Sequence, residues 1–259
     1  MARPPLSLII ITKDNARTLK RCLESADFVD EKILLDNGSR DETLAIAGAA
    51  GCRITETADF PGFSAQKQRA LERVTTDWVL ALDADEWIEP ALKAEMLVAL
   101  DDPGDAAGFE MPRHSSFCGQ VLRHGDWGRD RVVRLVRRDR ARYGGGLVHD
   151  RIQVDGRIVP LASPLLHEAV FDLEQALWRM NYYSTLTASE RHKAGRKASL
   201  AGAVGHGFWT FFRSYVLRGG FRDGPEGFFQ ALTAGEGSFY RYAKMLLLAR
   251  GIRGHRPDR

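Results

Sequence analysis

One stretch constrains the fold of this chain more than any other: a short apolar run that leads into three carboxylates. Residues 78–82 are all apolar, and Asp83, Ala84, Asp85 and Glu86 follow them. A run this short suits a strand better than a helix. Because it has no polar alternation, it suits a strand that is covered on both faces, as in a parallel sheet. The sequence therefore predicts a buried strand with acidic side chains at its carboxyl end.

The carboxylates of Asp83 and Asp85 are two residues apart, so in extended backbone they point the same way. Such a pair repels itself unless positive charge lies between the two groups. A divalent cation that carries phosphate oxygens meets this need, because hard oxygen ligands suit Mg²⁺ or Mn²⁺. Open α/β sheets also bind ligands at their strand ends. The alternative is a solvated acidic turn before the helix that Pro90 begins.

The rest of the chain supplies the elements of an α/β fold. Strands are predicted at residues 6–11, 32–35, 53–57, 108–111 and 132–136, and helices after residues 15 and 42, at 64–74, 90–100 and 171–192. The βαβα order of the first half predicts an open, mostly parallel sheet with helices on both faces. Three cysteines without paired spacing (Cys22, Cys52 and Cys118) indicate a reducing compartment and no disulfide framework.

The C-terminal part of the chain is basic and aromatic. From Glu190 onward there are 13 Lys and Arg against 5 Asp and Glu, a net charge of +8, whereas the remainder has 24 against 29, a net of −5. Residues 208–217 and 239–249 are rich in aromatic and apolar side chains, and neither run reaches the roughly 18 residues that span a bilayer. These features favour an anionic membrane surface over nucleic acid, because the aromatics cluster instead of alternating with cations. Packing of both segments as ordinary core helices stays open.

Three motifs, in their order and spacing, resemble the family 2 glycosyltransferases, which have the GT-A (Rossmann-like) fold. The motifs are residues 7–12 (SLIIIT), 35–43 (LDNGSRDET) and 77–86 (DWVLALDADE), within the first hundred residues. The pattern is most similar to the branch that includes lipopolysaccharide-core glucosyltransferases. Residues 148–150 (VHD) resemble a later His-Glu step of that branch, with Asp in place of Glu.

The resemblance implies roles for particular residues. Asp36 would contact the nucleotide base, with Thr12 lining the same pocket, although Asp36 as a simple cap of its own turn is the alternative. Asp85 would hold the cation on the diphosphate, and Asp83 would lie toward the ribose or beside the metal ligands. Arg134 would contact the diphosphate, although a solvated strand face is the alternative.

The resemblance also implies a catalytic base, the group that takes the proton of the acceptor hydroxyl. Asp150, beside His149, is the first candidate for this base. His167 with Glu168 is the second candidate pair. Each pair is a histidine followed by a carboxylate, and the sequence leaves the choice between them open.

Together these features predict an inverting, metal-dependent glycosyltransferase. It would use Mg²⁺ or Mn²⁺ and a UDP-linked sugar, with a lipid-linked or lipopolysaccharide-core saccharide as acceptor. Residues 1–170 would form the catalytic domain and residues 171–259 a helical, membrane-associating region. The expected location is cytoplasmic, peripheral on the inner face of the plasma membrane. A sugar-nucleotide pyrophosphorylase and a non-catalytic binding protein on a transferase scaffold are the alternatives.

Overall fold

The computed structural model describes residues 3–144 and 151–252. The strands are β1 Leu6–Thr12, β2 Glu31–Asp36, β3 Arg53–Glu56, β4 Trp78–Ala81, β5 Glu86–Ile88, β6 Ala106–Phe117, β7 Gln120–Val121, β8 Arg131–Arg137, β9 Ala141–Gly144, β10 Arg151–Val154, β11 Arg157–Pro160 and β12 Leu165–Val170. The helices are α1 Ala16–Ser25, α2 Thr43–Ala49, α3 Phe63–Leu71, α4 Pro90–Asp101, α5 Leu173–Lys193, α6 Leu200–Phe212 and α7 Gly224–Ala249. The predicted strands and helices are therefore present, with end points that differ by a few residues.

The main sheet has the strand order β3-β2-β1-β4-β8-β6-β12-β5. Its first four strands are parallel, and β8 then pairs with β4 and β6 in the antiparallel sense. Only residues 82–85, which include a turn, join β4 to β5, although three strands separate the two in the sheet order. The sheet therefore curls, and the residues between β4 and β5 lie where its two parts meet.

Alternate residues of the central strands feed two apolar cores, one on each face of the sheet. In β1, Leu8 and Ile10 belong to the core that α1 and α4 cover, whereas Ile9 belongs to the core that α3 covers. In β4, Leu80 and Val79 divide in the same way, as the two-residue period of a strand requires. The predicted α/β sheet with helices on both faces is confirmed.

The described residues divide into two compact units. The first takes in Met1–His114 and Asp130–Glu168, and contains the parallel strands. The second takes in Ser115–Arg129 and Ala169–Arg259, and contains α5, α6 and α7. The predicted C-terminal helical region is therefore present.

Within the second unit, α6 and α7 meet through small residues. A Cβ on Gly207 would lie 2.9 Å from the Phe239 Cβ, and one on Gly235 would lie 3.0 Å from the Gly207 carbonyl oxygen. Large side chains of α6 face outward instead; Phe208 is 67% and Trp209 50% exposed. Among the described helices, none is long and apolar enough to cross a membrane.

Candidate active site

The predicted acidic strand end is a turn in the structure. β4 ends at Ala81, Ala84 and Asp85 form the turn, and β5 begins at Glu86. The two-residue alternation that would place Asp83 and Asp85 on one face holds only for extended backbone. The expectation of a shared face is wrong for this reason, and the two carboxylates have different partners.

Asp83 is held by two cations. Lys67 Nζ donates to Asp83 Oδ1 at 2.6 Å, and Arg134 Nη2 donates to Asp83 Oδ2 at 2.5 Å. Arg134 Nη2 also reaches Glu86 Oε1 at 2.6 Å, and Arg113 approaches the same oxygen at 3.2 Å. Glu86 is fully buried and accepts the backbone N–H of Asp83 at 3.0 Å. These hydrogen bonds and ion pairs fix the conformation of the turn.

The charges of this network set its protonation. Burial alone would raise the pKa of Asp83, but Arg134 and Lys67 outweigh it and hold that pKa well below its usual range. Burial alone would lower the pKa of Arg134, but Asp83 and Glu86 raise it well above its ordinary value. Asp83 and Arg134 are therefore both ionised near neutral pH.

The formal charges of this network sum to zero before Asp85 is counted. Three cations face three carboxylates, namely Lys67, Arg113 and Arg134 against Asp83, Glu86 and Asp130. Asp85 is paired with neither lysine nor arginine in the described residues, and its Oδ1 lies 3.6 Å from His167 Nε2. Asp85 is thus the carboxylate of this turn that a cation from solution would neutralise.

Asp85 and His167 could hold a divalent cation whose remaining ligands are phosphate oxygens of the substrate and waters. Among residues 3–144 and 151–252, no three His, Cys, Asp or Glu side chains form a metal-binding group. Mg²⁺ is usually held by one or two protein carboxylates together with substrate phosphates and waters. Carboxylate also suits Mn²⁺, whereas imidazole is the more usual ligand of Zn, Cu, Fe and Ni. Asp85 would supply the oxygen ligand, with His167 beside it.

Thr12 and Asp36 are brought together at the ends of two neighbouring strands. They are register partners in the parallel pair of β1 and β2, and both are buried. The Asp36 carboxylate accepts the backbone N–H groups of Gly38 and Ser39 at 2.7 and 2.8 Å and the Ser39 hydroxyl. Asp36 thus caps its own turn, and its contact with a nucleotide base stays a prediction.

Arg134 does not lie on a solvated strand face. It is buried, its Nη2 joins Asp83 and Glu86, and its buried Nε has no acceptor among the described residues. A donor that lacks an acceptor in a buried site is costly unless a ligand supplies one. Its predicted contact with a diphosphate is untested, and the structure adds a positioning role for the Asp83 turn.

The two candidate bases differ in what the structure shows of them. His149 and Asp150 lie outside the described residues. Glu168 accepts from Arg17 at 2.6 and 2.9 Å and from Arg21 at 2.6 Å. Burial would raise the pKa of Glu168, but these two guanidinium groups outweigh it and lower that pKa. Glu168 is therefore held ionised with both oxygens engaged.

Sequence reasoning missed Lys67, which is nearly buried beneath the turn. A signal was present: Lys67 lies three and four residues before Ala70 and Leu71, so it shares the core-facing stripe of α3. A lysine on such a stripe needs a buried partner. The sequence does not say that the partner is Asp83.

The chain is similar to known glycosyltransferases. The model of the family described as Glycosyl transferase family 2 matches residues 7–154. The chain is 30% identical over 250 residues to "Lipopolysaccharide core biosynthesis glycosyltransferase LpsC" of Rhizobium meliloti (strain 1021), covering 93% of this chain and 92% of the relative. It is 28% identical over 258 residues to an "Uncharacterized glycosyltransferase" of Rickettsia felis (strain ATCC VR-1525 / URRWXCal2), covering 93% and 89%.

One solved structure is that of glucosyl-3-phosphoglycerate synthase from Mycobacterium tuberculosis in complex with Mg²⁺ and uridine-diphosphate. It aligns at 17% identity and a TM-score of 0.45, covering 66% of this chain and 74% of that one.

Proposed function

This chain belongs to glycosyl transferase family 2, and we propose that it transfers a sugar from a UDP-linked donor, with inversion, to a saccharide acceptor of the lipopolysaccharide-core type. Family membership makes it a glycosyltransferase and sets aside the pyrophosphorylase and the non-catalytic alternatives. The named relative in lipopolysaccharide core biosynthesis supports the acceptor class. Inversion and the UDP group rest on the family resemblance of the motifs.

The observation that carries this proposal is the charge pattern of the turn between β4 and β5. Asp83 and Glu86 are neutralised by buried cations, whereas Asp85 is left beside His167 at 3.6 Å. Asp85 could therefore bind a cation, and Thr12 and Asp36 lie at the ends of neighbouring strands. This arrangement suits a nucleoside diphosphate. Asp85 and His167 would hold the cation, which would supply Lewis-acid stabilisation of the departing diphosphate.

The remaining residues would orient the donor and manage the acceptor proton. Lys67 and Arg134 fix the Asp83 turn and so position Asp85. Inverting transfer by a single displacement needs one base for the acceptor hydroxyl. Because the Glu168 oxygens are engaged by Arg17 and Arg21, Glu168 is less suited to that role. We propose Asp150 as the base, with His149 beside it.

The acceptor is proposed to be presented at an anionic membrane surface. The second unit has large apolar side chains on its surface, among them Leu200, Val204, Phe208 and Trp209. Such side chains, in a basic segment, suit the lipid interface. The peripheral location at the cytoplasmic face of the plasma membrane remains part of this proposal.

Asp85→Asn tests the metal-dependent site. This change removes the charge and keeps the size, so we expect loss of transfer and loss of Mn²⁺-dependent stabilisation by UDP. The measurement is nucleotide release from UDP-hexoses, with a thermal-unfolding titration of UDP and Mn²⁺. Asp102→Asn removes an exposed carboxylate of the same unit and serves as the control. Full activity of Asp85→Asn, or of the wild-type protein in excess chelator, would contradict the metal-dependent reaction.

A second test separates the two candidate bases. Asp150→Asn should lower the turnover number by about 10²–10⁴ and leave UDP binding intact, because it removes only a proton acceptor. Glu168→Gln should keep most of the turnover. The measurement is the turnover number together with the UDP dissociation constant for each variant. An active Asp150→Asn beside an inactive Glu168→Gln would move the base to residue 168.

A further inference from the structure

Three cations on α5 and α7 lack a carboxylate partner among the described residues. Arg191 donates to the hydroxyl of Tyr242 at 3.1 Å, and Arg241 donates to Ser238 Oγ at 3.0 Å. Lys244 donates only to neutral oxygens, which belong to Asn181, Ser184 and Thr185. This set of Arg191, Arg241 and Lys244 is named the cationic cluster here. Its members all belong to the second unit.

Tyr242 organises two members of the cationic cluster. The guanidinium carbons of Arg191 and Arg241 lie 5.7 and 5.5 Å from the centre of its ring. The ring of His206, on α6, stacks on Tyr242 with centroids 4.2 Å apart and planes 5° apart. Two planar groups with several N–H donors each are therefore held around one aromatic side chain.

The cationic cluster is costly as it stands. Burial lowers the pKa of Arg241, and the neighbouring charge of Arg191 lowers it further. Burial also lowers the pKa of Lys244. The buried Nε of Arg241 has no acceptor among the described residues. Like charges that are partly desolvated and lack a counter-charge destabilise a fold, so an anion that bound here would offset this cost.

The geometry points to a binding site for a phosphate group at Arg191, Arg241 and His206. Arginine forks match the oxygens of a phosphate monoester or diester, and Arg241 Nε supplies a donor that has no other use. Lys244, one helical turn along α7, adds positive charge. None of these residues is among those proposed to bind the nucleotide, so the phosphate would be a different one.

Two sources could present this phosphate. One is the head group of an anionic phospholipid, because Leu200, Val204 and Leu247 near the same helix ends are exposed apolar side chains. The other is a soluble phosphorylated saccharide. The lipid source deepens the membrane contact proposed above, whereas the soluble source is independent of it.

The test compares the double variant Arg191→Gln/Arg241→Gln with the wild-type protein and with Arg222→Gln/Arg250→Gln. The control loses the same charge from exposed positions at the two ends of α7. One arm measures flotation with phosphatidylcholine vesicles that contain or lack phosphatidylglycerol. The other arm measures thermal stabilisation by inorganic phosphate and glycerol 3-phosphate against chloride at equal ionic strength. Phosphate binding at the donor site would contribute equally to all three proteins, so it does not affect the differences between them.

In at least one arm, we expect the double variant to bind the vesicles or the phosphate compound about tenfold more weakly than the wild-type protein and the control do. The arm that changes shows whether the phosphate comes from a lipid or from a soluble compound. Equal binding by the double variant, or equal loss in the control, would overturn the site. If the double variant does not fold, each single variant carries the same comparison.

Nucleotide-sugar turnover in the same preparations separates this inference from the proposed function. Arg191 and Arg241 are not among the residues proposed to bind the donor or the cation, so turnover with a water-soluble acceptor should be unchanged in the double variant. A wild-type protein without turnover, whose phosphate binding still depends on Arg191 and Arg241, would reject only the proposed transfer.

Discussion

At the scale of single residues, the turn after β4 shows how neighbouring carboxylates acquire different roles. Asp83 is fixed by Lys67 and Arg134, so its position is structural before any ligand arrives. Asp85, two residues on, lies near an imidazole instead of an ammonium or guanidinium group. Environment, and not residue type, therefore separates Asp83, which two cations hold, from Asp85, the carboxylate proposed above to hold a metal cation.

The stability of the fold should decrease in acid through Asp83. Its folded-state pKa is held below the unfolded value of about 3.9, so its contribution is complete above that value and is lost as pH falls below it. We expect Asp83→Asn to cost on the order of 3 kcal/mol at pH 7, since two buried cations lose their partner. The measurement is urea unfolding of both proteins at pH 7, 5, 4 and 3.

The difference in unfolding free energy between the wild-type protein and Asp83→Asn should narrow from pH 5 to pH 3. Asp102→Asn, at an exposed position of the same unit, is the control and should show no such narrowing. A gap that stayed constant across this range would mean that the Asp83 charge does not stabilise the fold.

At the scale of elements, the α6–α7 contact depends on glycine. Gly207 and Gly235 let the two helices approach until a Cβ on either would meet backbone or Cβ atoms at 2.9–3.2 Å. Glycine in a helix interior costs roughly 0.5–1 kcal/mol against alanine. That cost is offset by close helix packing, which leaves the large side chains of α6 on the outside.

Gly207→Ala should destabilise the second unit, and Gly205→Ala should not. The new methyl at residue 207 would lie 2.9 Å from the Phe239 Cβ, whereas nothing lies within 4 Å of a Cβ at residue 205. Overpacking typically costs about 1–3 kcal/mol, and an unhindered replacement gains about 0.5–1 kcal/mol. Thermal and urea unfolding measure both. A Gly207→Ala protein as stable as Gly205→Ala would contradict the close contact.

At the scale of the whole molecule, the two units have different surfaces. The first unit buries its apolar strands between two layers of helices. The second unit presents many large apolar side chains outward, and residues 190–259 carry a net charge of +8 by the counts above. This distribution is what an interfacial protein region shows, and it supports the proposed membrane contact.

Phe208→Ser/Trp209→Ser should reduce flotation with anionic vesicles while leaving stability unchanged, because both side chains are at least half exposed. Burial of a large apolar side chain contributes about 1.5–3 kcal/mol, so the vesicle-bound fraction should fall severalfold. The control is Val98→Ser/Ile158→Ser, which removes exposed apolar side chains of the first unit. Wild-type protein that stays in the aqueous fraction at low salt, or equal loss in the control, would contradict membrane contact.

The sequence alone predicted the βαβα order of the first half, the sheet with helices on both faces and the place of the acidic residues after β4. These follow from local periodicity and from short motifs, which each segment carries by itself. It also singled out Thr12, Asp36, Asp83, Asp85 and Arg134, which all lie in the first unit.

Only the tertiary structure decided the partners. Lys67 reaches Asp83 from helix α3, and His167 reaches Asp85 from a strand 82 residues later. Arg134 is buried against Glu86 and does not lie on a solvated strand face. Such pairings depend on how the sheet curls and on which side chains are buried together. That information is spread over the whole chain, so no local pattern contains it.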